Sequence, residues 1–173
     1  MRFAAIDFET ADRGADSACA VGLVRMNGGE VEAAQAWLIR PLRCSIAFTW
    51  LHGIAWEHVA DEPDFAGVWP MMAPLLEGVD VVVAHNASFD RRVLLACMQA
   101  HGIVPPLLAF ACTVRLARLA WSLRPTRLPD VCRHLGIELQ RHHDPLHDAL
   151  ACAPIAAAAL ADGHLLAAAL LRS

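Results

Sequence analysis

Two carboxylates, Asp7 and Glu9, stand two residues apart at the end of the apolar run Phe3-Ala4-Ala5-Ile6. Side chains along a strand alternate between faces, so a strand over residues 2–10 sends both acids to one side and Phe8 to the other. A sheet interior rejects unpaired charge, and a buried carboxylate without a partner takes up a proton instead. Such a pair asks for a cation, and a bound metal is the simplest one. The alternative is a strand that ends at Asp7, with both acids solvated in a loop.

The segments that follow set the fold class. Residues 19–26 read as a second strand, Asn27-Gly28-Gly29-Glu30 as a hairpin turn and residues 31–39 as a third strand. Residues 41–49 read as irregular and His52-Gly53-Ile54 as a loop before a short helix over 56–59. Phe65, Val68, Trp69, Met72, Leu75 and Leu76 have helical spacing, which Pro70 and Pro74 are expected to distort. Residues 80–84 suit a buried parallel strand. Residues 87–101 suit a helix closed by Gly102 and the Pro105-Pro106 pair. A fifth strand is expected over 107–111, then helices over 112–121 and 127–135, and an alanine-rich helix from Pro145 with a break at Asp162-Gly163. This order predicts an α/β fold with a mixed five-stranded sheet flanked by helices, in a single domain over residues 1–173.

Composition excludes several classes. At 57% hydrophobic residues the chain is globular rather than disordered. All 14 basic residues are arginine, which removes P-loop and Schiff-base lysine chemistry. The six cysteines are widely spaced with no C-x-x-C, and read as reduced core residues rather than redox or zinc ligands. The apolar runs 149–161 and 165–171 are mostly alanine and are interrupted by Pro154, Asp162, Gly163 and His164. With no signal-type stretch ahead of Asp7, the expectation is a cytoplasmic protein without a membrane partner. The net charge of −4 is uneven: residues 1–112 carry 13 acids against 7 arginines, and residues 113–173 carry 5 against 7. Six arginines from Arg115 to Arg141 meet only Asp130 and Glu138, so a polyanion can lie there, although a solvated helix face fits equally.

Two further stretches carry acids. In His85-Asn86-Ala87-Ser88-Phe89-Asp90 a buried strand opens into a helix, with Asn86 or Ser88 as its expected cap and Asp90 in or near the first turn. Asp90 there either faces a ligand or complements the helix dipole. In His142-His143-Asp144-Pro145-Leu146-His147-Asp148, Asp144 suits an N-cap and Pro145 the first helical position. Asp148 is then one turn in, and His143 lies just outside the helix. His143 and Asp148 can flank one site, and a histidine on a loop suits a general base. Of the three histidines, one at most is expected to be that base.

Asp7-Phe8-Glu9-Thr10, His85 to Asp90, and a histidine five residues before an aspartate at His143 and Asp148 closely resemble the three motifs of the DEDDh exonucleases. That superfamily includes the replicative proofreading subunits, ribonuclease T and oligoribonuclease. The resemblance runs from Asp7 to Asp148 in the family's order. It implies a ribonuclease H-like fold and a 3′-5′ exonuclease, a hydrolase of phosphodiester bonds acting on nucleic acid with a 3′ end, DNA more expected than RNA. It also implies two divalent cations, Mg²⁺ or Mn²⁺, held by Asp7, Glu9, Asp90 and Asp148, with Asp7 bridging both, and His143 as general base. Thr10, His52, Phe89 and Asn86 are the implied substrate contacts, Phe89 under a terminal base and Thr10 at the 3′ end. Pro145 stands where family members often have alanine, and proline fits a first helical position. Two other readings stand beside a free-standing nuclease. One is an accessory proofreading subunit, with the alanine-rich segment 149–171 as a polymerase-binding or homodimer face. The other is a non-catalytic nucleic-acid-binding module on the same fold.

Overall fold

The computed structural model of the protein describes residues 1–164 and Leu170. β1 (Arg2–Thr10), β2 (Ala18–Asn27) and β3 (Glu30–Leu38) form an antiparallel meander. Gly28 and Gly29 make the β2–β3 turn possible, because both take positive φ (58° and 95°), a region that side chains disfavour. β4 (Val81–Ala84) pairs parallel with β1 on the side away from β2, and β5 (Phe110–Cys112) pairs parallel with β4. The sheet order is β3-β2-β1-β4-β5, so the acid-bearing strand is central. Between β3 and β4 lie α1 (Thr49–His52), α2 (Trp56–Val59) and α3 (Phe65–Leu76). α4 (Ala87–Ala100) joins β4 to β5, and α5 (Thr113–Trp121), α6 (Leu128–Leu135) and α7 (Pro145–Ala161) follow.

The period-two pattern of β1 sorts its residues between two cores. Ala4, Ile6 and Phe8 pack with Phe65, Val68 and Met72 of α3 and with Leu94 and Met98 of α4. Phe3 and Ala5 pack on the other face with Leu116 of α5 and Ala149, Cys152, Ala153 and Ala156 of α7. By alternation Asp7 and Glu9 fall on the α7 side. All four residues of β4 are buried, as a strand covered on both faces must be.

Several boundaries depart from expectation. Thr49–His52 is a one-turn helix rather than loop, closed by Gly53 in the left-handed region (φ 76°), whose N–H donates to the Thr49 carbonyl. The fifth strand spans Phe110–Cys112 instead of 107–111, because its ladder meets only Val82, Val83 and Ala84, and Leu107 is fully solvent-exposed. α5 and α6 each begin one residue later than expected. Neither Pro70 nor Pro74 interrupts α3, whose buried stripe of Phe65, Val68, Met72 and Leu76 holds it against the sheet. α7 ends at Ala161, ahead of the anticipated break. The rest of the alanine-rich segment, residues 165–169 and 171, lies outside the described residues. All six cysteines are free thiols, five of them buried and Cys44 exposed. Among the described residues no helix is long and apolar enough to cross a membrane.

Candidate active site

The acids converge through three separate pieces of local structure. Asp7 and Glu9 project from the C-terminal half of β1 toward the first turn of α7. That turn is fixed by Asp144, whose Oδ1 accepts from the backbone N–H groups of Leu146 (3.1 Å) and His147 (3.2 Å), with Pro145 at the first helical position. Asp148 then faces the sheet. The turn can come this close because Gly22, the partner of Asp7 in the β1–β2 ladder, lacks a side chain. A Cβ there would overlap the carbonyl of Pro145 and the backbone nitrogen of Leu146. One carboxylate oxygen from each of Asp7, Glu9 and Asp148 lies within 4.8 Å of the others.

Asp90 stands outside this triplet. It sits in the first turn of α4, almost fully buried, and its Oδ1 accepts from the backbone N–H of Phe8 at 3.0 Å. Since Phe8 lies between Asp7 and Glu9, this bond fixes Asp90 against the same strand segment.

The electrostatics of the four are unfavourable without a cation. Burial, then the charges of Asp90, Asp148 and Glu9, push the Asp7 carboxyl well above its ordinary range. Burial together with Asp148 and Asp90 pushes Glu9 up to about 8. Burial raises Asp90 to about 7 against the opposing Phe8 hydrogen bond. Burial raises Asp148 as well, opposed by His142 and the His143 N–H. Among the described residues no arginine forms an ion pair with any of these acids. Three carboxylate donors within reach of one point, Glu9 and Asp148 buried and Asp7 half-buried, fit a hard divalent cation, whose charge would oppose each of these shifts.

His142 and His143 differ in role-defining geometry. His142 Nδ1 lies 3.0 Å from Asp148 Oδ2, and the backbone N–H of His143 donates to the same oxygen at 3.1 Å. The two rings stack with centroids 3.9 Å apart. His143 takes a left-handed backbone conformation (φ 68°), uncommon for a side-chain-bearing residue. Burial and the adjacent His142 lower the His143 pKa, so its ring is neutral near pH 7. His147 turns away, its Nδ1 2.9 Å from Asp144 Oδ1.

Asp7, Glu9 and Asp148, but not Asp90, floor a cleft of about 400 Å³ whose walls include Thr10, Phe48, Leu51, His85, Phe89, Arg127, Leu128, His142 and His143. Thr10 and Phe89, both expected as substrate contacts, line this cleft. His52 does not line this cleft. Its Nδ1 accepts from the Ile54 N–H (3.1 Å), so Nε2 carries the proton and donates to the Thr10 carbonyl (3.2 Å), which commits both ring nitrogens. It borders an adjacent pocket of about 210 Å³ with Trp37 and His143. Asn86 also lies outside, in a groove beside the cleft. It occupies the N-cap position of α4 but in the left-handed region (φ 77°) and without a side-chain cap bond. The expected capping by Asn86 or Ser88 is thus replaced by a hydrogen bond from Ser88 Oγ to Asn86 Oδ1 (3.2 Å).

The motifs assigned no role to His142, His85, Phe48 or Leu51, whereas Arg127 belongs to the arginines expected to meet a polyanion. His85 Nε2 donates to the Thr126 carbonyl and Nδ1 accepts from Thr113 Oγ1, both at 2.9 Å, and burial lowers its pKa to about 4, so it is a neutral tie. Its position opening the second motif was the available signal.

The family model described as exonuclease of the RNase_T type matches residues 4–156. The DNA polymerase III of PolC type from Thermotoga maritima is 31% identical over 88% of this chain and 11% of the relative. Its counterpart from Oceanobacillus iheyensis is 34% identical over 85% of this chain and 10% of the relative, so the chain spans about a tenth of these proteins. Exonuclease X, solved in complex with 5′-overhanging duplex DNA, superposes with a TM-score of 0.78 at 25% identity, covering 96% of both chains. The nuclease domain of 3′hExo, a DEDDh family member bound to rAMP, shares the fold with a TM-score of 0.78 at 21% identity, covering 94% of this chain and 92% of that one. The mixed sheet and its flanking helices are thus the ribonuclease H-like fold of exonucleases, and the chain belongs to the RNase_T exonuclease family, in the DEDDh 3′-5′ exonuclease superfamily.

Proposed function

We propose that this chain, as a single domain, shortens a DNA strand from its 3′ end using two divalent cations, Mg²⁺ or Mn²⁺, held by Asp7, Glu9, Asp90 and Asp148. The observation that carries this reading is that Asp7, Glu9 and Asp148 meet within 4.8 Å while Asp90 is bonded to the same strand segment, all four raised in pKa by burial, Asp7 and Glu9 also by their acidic neighbours, and none with an arginine partner among the described residues. When bound, such cations activate a water and stabilise the oxygens that gain charge as the phosphodiester is cleaved. An all-carboxylate set favours Mg²⁺ or Mn²⁺ over zinc, which prefers nitrogen and sulfur donors.

The chain's own residues supply the rest. His143 takes the proton from the attacking water; it is neutral near pH 7, and its ring nitrogens make no hydrogen bond among the described residues. His142 steadies it by stacking while bonded to Asp148. Phe89 offers a partly exposed ring to the terminal base, and Thr10 contacts the 3′ end. His52 acts on Thr10 by holding its carbonyl, and Asn86 meets the strand outside the cleft. DNA as the substrate is supported by the polymerase relatives and by the DNA-bound neighbour.

Digestion of 5′-labelled DNA and RNA oligonucleotides with Mg²⁺ or Mn²⁺ tests this. A ladder shortening from the 3′ end is expected, lost by at least about a thousandfold in Asp7→Ala and Asp148→Ala and by roughly 10²–10⁴ in His143→Ala, with the far-UV spectrum retained. Unchanged degradation by either aspartate variant overturns the assignment. A second reading, an accessory proofreading subunit, is favoured by the PolC relatives, in which the matched region is one part of a polymerase. Co-purification with a polymerase, and primer-end trimming only in its presence, would select it.

A further inference from the structure

Beside the acidic cleft lies a second depression of about 480 Å³, lined by Asn86, Val114, Arg118, Arg124, Thr126 and Arg127 along with Pro125. The two share Arg127, so they adjoin. The three arginines are exposed, and their arrangement is built rather than incidental. Arg118 Nη2 donates to Thr126 Oγ1 (3.3 Å), and the Thr126 carbonyl is held by His85 from the floor of the cleft (2.9 Å). Arg127 is braced by Asp130 at 2.8 Å, but Asp130 does not line the groove. Among the described residues Arg118 and Arg124 have no carboxylate partner. Guanidinium groups that line one groove make it electropositive, and their planar donors match phosphate oxygens.

We propose that this groove binds the phosphodiester backbone of the nucleic-acid strand outside the cleft, so that Arg118 and Arg124 set affinity for long substrates without touching the scissile bond. The inference rests on the exonuclease reading of the acidic cleft. His85 links the two regions, since its bonds to Thr113 and Thr126 fix the arginine-bearing loop relative to the strand that leads to Asp90.

The test separates reach from chemistry. Binding of a 5′-fluorescein oligothymidylate is followed by anisotropy in EDTA across a salt series, and Mn²⁺-dependent hydrolysis of thymidine 5′-(p-nitrophenyl) phosphate is followed in parallel. For the Arg118→Ala/Arg124→Ala double variant the expected outcome is at least about tenfold weaker oligonucleotide binding. The slope of log affinity against log salt should be shallower by about 1.4, because each single-strand phosphate contact contributes about 0.7. Hydrolysis of the mononucleotide ester should not change. Arg118→Lys/Arg124→Lys keeps the charge and should keep the parent's salt slope, with an affinity between those of the parent and the double alanine variant because lysine lacks the planar donor pair. Oligonucleotide affinity and salt slope that match the parent overturn the groove assignment, whatever the hydrolysis result. A parent that hydrolyses neither substrate, yet binds the oligonucleotide in a way that depends on both arginines, overturns the nuclease reading and leaves the groove standing.

Discussion

Two groups of acids leave the same strand within ten residues and meet opposite fates. Asp12 and Asp16, in the loop after β1, are both held by Arg43 at 2.8 Å, and these hydrogen bonds pull their carboxyl groups below the usual range. Asp7 and Glu9, a few residues earlier, have no arginine partner among the described residues and are pushed far in the other direction by burial and by Asp90 and Asp148. The chain has arginines available and places one where acids are exposed. Where acids are buried it leaves the compensating charge to come from outside. A self-neutralised cluster stitches a loop; an uncompensated one costs stability that a bound cation would recover.

The sharpest way to break this contrast is to supply the missing charge. Saturating Mn²⁺ should raise the melting temperature by roughly 5–10 °C, the response expected at about a hundredfold excess over Kd for a domain this size. The shift should vanish in Asp7→Ala and persist in Arg43→Ala. Because cation binding displaces protons from Glu9 and Asp90, whose values lie at about 8 and about 7, the shift should grow as pH rises through that range. A Mn²⁺ response independent of pH and of Asp7 would erase the distinction.

A smaller effect concerns the metal-free protein. Folded-state values above the unfolded ones mean that the folded protein holds these protons more tightly. Its stability is therefore fully present at acidic pH, below the unfolded carboxyl values, and declines as pH rises through about 7 and 8. Glu9→Gln removes one of these charges and should raise the metal-free melting temperature at alkaline pH by a few degrees while activity falls, with little effect at acidic pH. A loss of stability in that variant at every pH would show that the acid is satisfied after all.

Smallest of all should be Arg43→Ala. Its pairs with Asp12 and Asp16 are solvent-exposed, so the expected loss is about 1 kcal/mol or less, diminished further by salt, with nuclease activity unchanged. A large fall in activity would join the two clusters into one functional unit.

Much of this was legible in the sequence because it rests on local rules. The period of two in β1 put Asp7 and Glu9 together, and Asp144 and Pro145 announced the start of α7 and hence the position of Asp148. What could not be read depended on distant partners. The start of β5 is set by which residues of β4 remain to pair with it, so the apolar Leu107 and Leu108 precede the strand. The strand-to-helix turn at Asn86 uses a left-handed backbone rather than a side-chain cap, a choice no spacing reports. His142 and His143 are indistinguishable by composition, and only the fold shows that His142 reaches Asp148 through its ring and His143 through its backbone N–H. His52 resembled a substrate contact, but its two nitrogens are spent on Ile54 and Thr10. Gly22 was the missed clue with a readable signal, since a glycine amid a run of apolar strand residues marks a place where another backbone comes close.

That close approach makes Gly22 a spacer of zero thickness: the helix bearing the last acid rests on bare main chain, with no side chain left to shrink. Variation there acts in one direction only, lifting Asp148 off the sheet and away from Asp7 and Glu9. A position outside the cleft wall thereby sets the spacing of the proposed metal ligands, though it carries no charge of its own.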